Sequence, residues 1–146
     1  MRDYRSVSRR NINDLLAAAQ ARLERLTPAQ AAARVREGWT LVDVRANDLR
    51  ARDGRIRGAV HAPLNVLEWR VDPVSGAQEP ALAGKEDRLI LFCQEGYSSS
   101  LAAVRLQELG YPNTTDLIGG FKAWVEAGLP LETEEQRDGL HDPRDE

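Results

Sequence analysis

The stretch Arg88-Leu89-Ile90-Leu91-Phe92, followed at once by Cys93-Gln94-Glu95-Gly96-Tyr97-Ser98-Ser99-Ser100, decides the fold. After Arg88, Leu89 to Phe92 form an unbroken apolar run, too short for a buried helix. Such a run fits a central strand of a parallel sheet, covered on both faces. The residues from Ser99 to Leu109 place Leu101, Ala102, Val104, Leu106 and Leu109 at helical spacing, and Gly110 closes them. A strand, a short polar loop and a helix therefore follow one another. Open α/β sheets bind their ligands at that junction. No proline interrupts residues 93–100, so every backbone N–H is available to curl toward the cysteine sulfur, and Gly96 supplies the freedom the curl needs. The serines are expected to cap the helix or to donate to a bound anion. A cysteine at a helix N-terminus is favoured as thiolate.

The same alternation extends outward. Toward the N-terminus, Thr40-Leu41-Val42-Asp43-Val44 and Ala59-Val60-His61-Ala62 are strand-like, with a helical turn or two expected over 47–53 and a helix over 65–71 capped by Asn65. Thr27-Pro28 opens a helix that Gly38 stops. Before it, Asn13 is expected to cap a helix running from Asp14 to about Leu26. Toward the C-terminus, Thr114-Thr115-Asp116-Leu117 is a short strand, and Gly119-Gly120 turns the chain into a last helix carrying Phe121 and Trp124 as core residues. The fold class is α/β, with a mainly parallel central sheet flanked by helices. Three segments are expected: a helical extension over 1–26, a domain over 27–131 and a mobile acidic tail over 132–146.

Composition narrows the chemistry. The chain has 146 residues, a formal net charge of −3 and a single cysteine, Cys93. The charge argues against a nucleic-acid footprint. No run approaches the ~18 apolar residues of a membrane span. The expectation is a soluble, cytoplasmic protein without nucleic-acid or membrane partners. One cysteine and two histidines, His61 and His141, make neither an internal disulfide nor a zinc site. A lone cysteine ending an apolar strand is ordinarily an inert core residue; the loop and helix that follow it argue for a reactive one.

Four blocks then resemble one family, in that family's order. Cys93 to Ser98 resembles the six-residue active-site loop of rhodanese-like sulfurtransferases. Leu41-Val42-Asp43-Val44-Arg45 is similar to the family's early strand motif. Gly54-Arg55-Ile56-Arg57-Gly58-Ala59 resembles its Gly-His-Ile-Pro-Gly-Ala segment. Gly119-Gly120-Phe121-Lys122-Ala123-Trp124, with Gly128-Leu129-Pro130 behind it, is similar to its C-terminal signature. The resemblance implies the rhodanese-like three-layer fold. It also implies covalent catalysis in which Cys93 takes a sulfane sulfur as a persulfide from thiosulfate or a persulfide donor. The sulfur then passes to an external thiol, cyanide or a sulfur-carrier protein, with no metal and no cofactor. Gln94, Glu95, Gly96, Tyr97, Ser98 and Ser99 become loop and substrate-binding residues.

Where the chain departs from the pattern, roles stay open. Arg55 and Arg57 replace the usual His and Pro, and Ser98 stands where many members carry Arg. Asp43 and Arg45 either shape the floor of the site or form a structural ion pair. Trp69 and Arg70 either overhang Cys93 or belong to core and solvent. Tyr97 is expected at the loop tip as a docking contact, His61 as a satisfied residue and not a base. Glu95 puts a carboxylate in an anion-receiving loop. Unless Arg45, Arg55, Arg57 or Arg70 compensates, a dianion such as thiosulfate is expected to be a poor donor, and a neutral or protein-bound persulfide a better one. The related phosphatases carry Arg at the position of Ser99 to clamp phosphate, which weighs against phosphatase or arsenate-reductase chemistry. A non-catalytic sulfur carrier, redox sensor or protein-binding module is the remaining alternative.

Overall fold

The structure is a computed structural model that describes residues 9–133. The first eight residues and the acidic segment from 134 onward lie outside the described residues, and so does the expected tail apart from its first two positions. Among the described residues, six α-helices and four strands follow one another: α1 (Ile12–Ala21), α2 (Pro28–Arg36), β1 (Thr40–Asp43), α3 (Asn47–Asp53), β2 (Val60–His61), α4 (Leu67–Val71), β3 (Leu89–Phe92), α5 (Ser98–Leu109), β4 (Thr115–Asp116) and α6 (Gly120–Glu126). The sheet is parallel throughout, in the order β2-β1-β3-β4. The α/β reading and the parallel sheet are borne out.

The layers follow from side-chain alternation along buried strands. Leu89 and Leu91 of β3, with Val42 of β1, point to one face, where they meet Leu67 and Val71 of α4 and Ala103 and Leu106 of α5. Ile90 and Phe92, with Leu41, point to the other, against Ala31 of α2 and Phe121 and Trp124 of α6. β3 is buried along its whole length, as its unbroken apolar run requires.

Three local expectations are corrected. The cap of α1 is Asn11, not Asn13: the Asn11 side chain accepts from the Asp14 N–H while Asp14 accepts from the Asn11 N–H. The helix also stops at Ala21, well short of Leu26, which is extended. Leu26 N–H donates to the Asp116 carbonyl, and its own carbonyl accepts from Ile118 N–H, so it pairs beside β4 at the sheet edge. Burial against Leu117 outcompetes helical continuation there. Asn65 lies inside a 3-10 turn (Leu64–Val66) that Pro63 opens, so it is no cap. Thr27 and Pro28 behave as expected: the Thr27 hydroxyl accepts from Gln30 N–H, and Gln30 returns the bond.

Candidate active site

β3 delivers Cys93 to the carboxyl edge of the sheet, and the loop from 94 to 97 turns back over it into α5. The curl is held by its carbonyls. Phe121 N–H, at the start of α6, donates to the Cys93 carbonyl at 2.8 Å, and Lys122 N–H to the Gln94 carbonyl at 3.1 Å. With the carbonyls turned away, Gly96 N–H points at the Cys93 sulfur at 3.2 Å. Gly96 has φ +91, and its position against the Gly119 backbone leaves no room for a Cβ. Gly120 is equally tight, since a Cβ there would lie 2.5 Å from the Cys93 carbonyl oxygen. Loop and Gly-Gly turn are thus interlocked.

Cys93 is 6% exposed and lies at the base of a cleft of about 500 Å³. Its sulfur is 3.4 Å from the Ser99 hydroxyl. Burial pushes the thiol up. The Ser99 hydroxyl and N–H, the Ser98 hydroxyl and the Gly96 N–H outweigh burial, so the pKa lies below the ordinary thiol value. None of the three serines caps α5. Tyr97 occupies the cap position without a side-chain bond. The Ser99 and Ser100 hydroxyls instead donate to Asp116 Oδ2 at 2.8 and 2.7 Å. Asp116 is fully buried on β4, the strand beside β3, and a buried carboxylate captures nearby donors.

The other site candidates divide. Gln94, Glu95, Tyr97 and Ser98 line the cleft with Arg45. Asp43 and Arg45 form a buried two-oxygen ion pair, with Arg45 Nε and Nη2 donating to Asp43 at 3.0 and 2.8 Å. Arg45 also stacks on the Phe121 ring at 4.0 Å and donates to the Gln94 side-chain oxygen, so one residue serves both the ion pair and the cleft wall. Tyr97 is exposed at the loop tip. The structure does not bring the remaining arginines to the cleft. Arg55 is half-buried with its Nε lacking a hydrogen-bond partner among the described residues. Arg57 lines a separate depression with Val35 and Trp39, and Arg70 donates to the Ala77 carbonyl. Trp69 is exposed. His61 Nε2 donates to the Arg45 carbonyl at 2.8 Å.

Sequence reasoning missed Lys122, Arg52, Leu49 and Leu64 on the cleft wall, and Arg25 and Asp116 behind the loop. Lys122 answers the question raised by Glu95. Its ammonium donates to Glu95 Oε1 at 2.6 Å. The compensating cation is therefore a neighbour on α6, and none of the four arginines considered for that role. Lys122 sat inside the Gly119–Trp124 block, so its nearness to the loop was implicit there. Arg25 carried no local signal, being 71 residues from the Gly96 carbonyl it binds.

Comparison with known proteins agrees with this geometry. Residues 27–127 match the rhodanese-like domain family. A thiosulfate sulfurtransferase GlpE from Haemophilus influenzae is 35% identical over 108 residues, 74% of this chain and 93% of the relative. Among solved structures, a Rhodopseudomonas palustris protein of unknown function, described as a possible tyrosine phosphatase, superposes with TM-score 0.76 at 32% identity, over 87% of this chain and 98% of that one. The polysulfide-sulfur transferase homodimer of Wolinella succinogenes superposes with TM-score 0.64 at 26% identity, over 88% of this chain and 92% of its own. The chain belongs to the rhodanese-like family and is an enzyme of its sulfurtransferase type.

Proposed function

We propose that the protein moves a sulfane sulfur through a persulfide on Cys93. The observation that carries this reading is the Cys93 sulfur at the base of an open cleft, with the Gly96 N–H 3.2 Å away and a thiol pKa held low. The thiolate attacks the outer sulfur of the donor. In thiosulfate the sulfur–sulfur bond breaks and sulfite leaves with the electron pair; in an organic persulfide the leaving group is a thiolate. The outer sulfur then sits on Cys93 as a persulfide anion, facing the same N–H and hydroxyl donors. An acceptor nucleophile attacks that sulfur and releases the Cys93 thiolate. Cyanide becomes thiocyanate, and a thiol or a sulfur-carrier protein becomes the next persulfide. No second cysteine exists to take the sulfur internally.

Donor choice follows from charge and shape. Each cation lining the cleft already holds a carboxylate: Arg45 holds Asp43, Arg52 holds Asp53 and Lys122 holds Glu95. Val44, Ala46, Leu49 and Leu64 supply an apolar wall. An organic persulfide of low charge suits this lining better than a dianion, so thiosulfate is accepted but is the weaker donor. Phosphatase chemistry is disfavoured, because the position of the phosphate-clamping arginine is held by Ser99, fully buried and bonded to Asp116. The test is steady-state transfer to cyanide with both donors. Parallel lines in a double-reciprocal plot, with turnover lost in Cys93→Ser, are expected. Intersecting lines, or turnover surviving Cys93→Ser, contradict the proposal.

A further inference from the structure

Arg25 lies in the segment between α1 and α2, ahead of the 27–127 span that matches the family. Its guanidinium spans two acceptors. Nε donates to Asp116 Oδ1 at 2.8 Å and Nη2 to Asp116 Oδ2 at 3.2 Å, while Nη2 also donates to the Gly96 carbonyl at 2.9 Å. Both acceptors lead to the cysteine. Gly96 N–H meets the Cys93 sulfur, and Asp116 holds Ser99, whose hydroxyl is 3.4 Å from that sulfur. Gly96 is a joint without a Cβ. The peptide on its carbonyl side is pinned by Arg25, and the peptide on its amide side carries the N–H that faces the sulfur. Without the pin, the glycine allows either peptide to rotate. A second contact from the same extension reaches the network, since Gln20 Nε2 of α1 donates to the Ser100 hydroxyl at 3.3 Å.

We propose that Arg25 is a positioning residue for Cys93: by holding the Gly96 carbonyl and the Asp116 carboxylate together, it aims the Gly96 N–H at the sulfur and keeps the Ser99 oxygen beside it. The segment ahead of the shared domain is then part of the working enzyme, because it locks the active-site loop at a carbonyl that α6 does not hold. A planar fork is needed for this, as a lysine ammonium reaches one acceptor or the other. When Cys93 is a thiolate, the Ser99 hydroxyl can turn to it, while Asp116 keeps Ser100 and Arg25. The inference rests on Cys93 being the nucleophile.

The experiment is the pH dependence of Cys93 alkylation by iodoacetamide in the full chain, followed by intact mass. Arg25→Met/Asp116→Asn removes one charge of each sign, so the local net charge is unchanged. The other charged groups around the sulfur, Arg45, Arg52, Glu95 and Lys122, stay in place. The expected result is an apparent Cys93 pKa higher by about one unit, with about tenfold slower alkylation at neutral pH. Arg25→Lys keeps the charge beside Asp116 and serves as the second variant should the double one not fold. It is expected to shift the profile the same way by less. A wild-type profile in the folded double variant, or in Arg25→Lys if only that one folds, overturns the proposal. The alkylation profile is read without any sulfur donor, so failure of wild-type sulfur transfer would sink the functional reading and leave this measurement standing.

Discussion

At the scale of single residues, hydrogen bonding outweighs burial at Cys93. A sulfur this enclosed would otherwise hold its proton. The Ser99, Ser98 and Gly96 donors bring the pKa below the ordinary thiol value. The acidic limb of the rate profile is therefore expected at lower pH than for an ordinary thiol. On the proposed mechanism, the local charges around the sulfur select the donor. Glu95→Gln frees the Lys122 ammonium toward the cleft, and thiosulfate kcat/KM should rise roughly three- to tenfold. Lys122→Met leaves Glu95 unpaired and should lower it by a similar factor. Organic persulfide turnover should move less in both. Steady-state kinetics at low ionic strength checks the pair, and equal changes for both donors would contradict the charge argument. Sequence alone singled out Glu95 as a charge inside the loop. It could not identify its partner, because pairing across 27 residues is a product of how α6 packs on the loop.

The elements were legible where apolar period and capping chemistry agree. β3, α5 and the Thr27-Pro28 start of α2 are cases where strand or helix is dictated by the residues themselves. Boundaries were lost where a tertiary partner intervened. Leu26 leaves the helical pattern because it pairs beside β4, and the α5 serines abandon the helix end because buried Asp116 takes their hydroxyls. The start of α6 makes the element-scale prediction. Gly120 has φ +62 and no space for a Cβ beside the Cys93 carbonyl. Gly120→Ala should destabilise the fold by about 1–3 kcal/mol. It should also push the loop off the sulfur, lowering kcat/KM about a hundredfold. Chemical denaturation and kinetics on the same samples separate the two effects, and near wild-type activity would contradict the interlock.

β2 ends on a group that ties stability to pH. Burial, with Arg50 and Arg55 nearby, holds His61 below its usual pKa, against the Arg45 carbonyl and Asp43. The unfolded chain then binds the proton more readily than the folded one. Stability is present above the unfolded pKa of about 6.5 and is lost as the pH falls below it. The melting temperature should drop from about pH 7.5 to about pH 5.5, and His61→Gln should show a smaller drop. An equal drop in both proteins would remove His61 as the cause.

At the scale of the whole molecule, a parallel sheet between two helical layers puts every strand's carboxyl end on one edge, and the cleft opens there. That much follows from the alternation of strands and helices in the chain. What did not follow is that two distant segments grip the loop: α6 takes the Cys93 and Gln94 carbonyls, and Arg25 takes the Gly96 carbonyl. These are contacts between residues far apart in sequence, and no local pattern encodes them. They turn the loop N–H groups inward, which is what a sulfur carrying negative charge requires. The central claim is that this sulfur accepts another. Intact mass of the protein after incubation with thiosulfate or a small organic persulfide, followed by desalting, measures it directly. The account predicts a gain of one sulfur atom on the wild-type chain, removed by cyanide and absent in Cys93→Ala. An unchanged mass with both donors, or the same gain in Cys93→Ala, would contradict it.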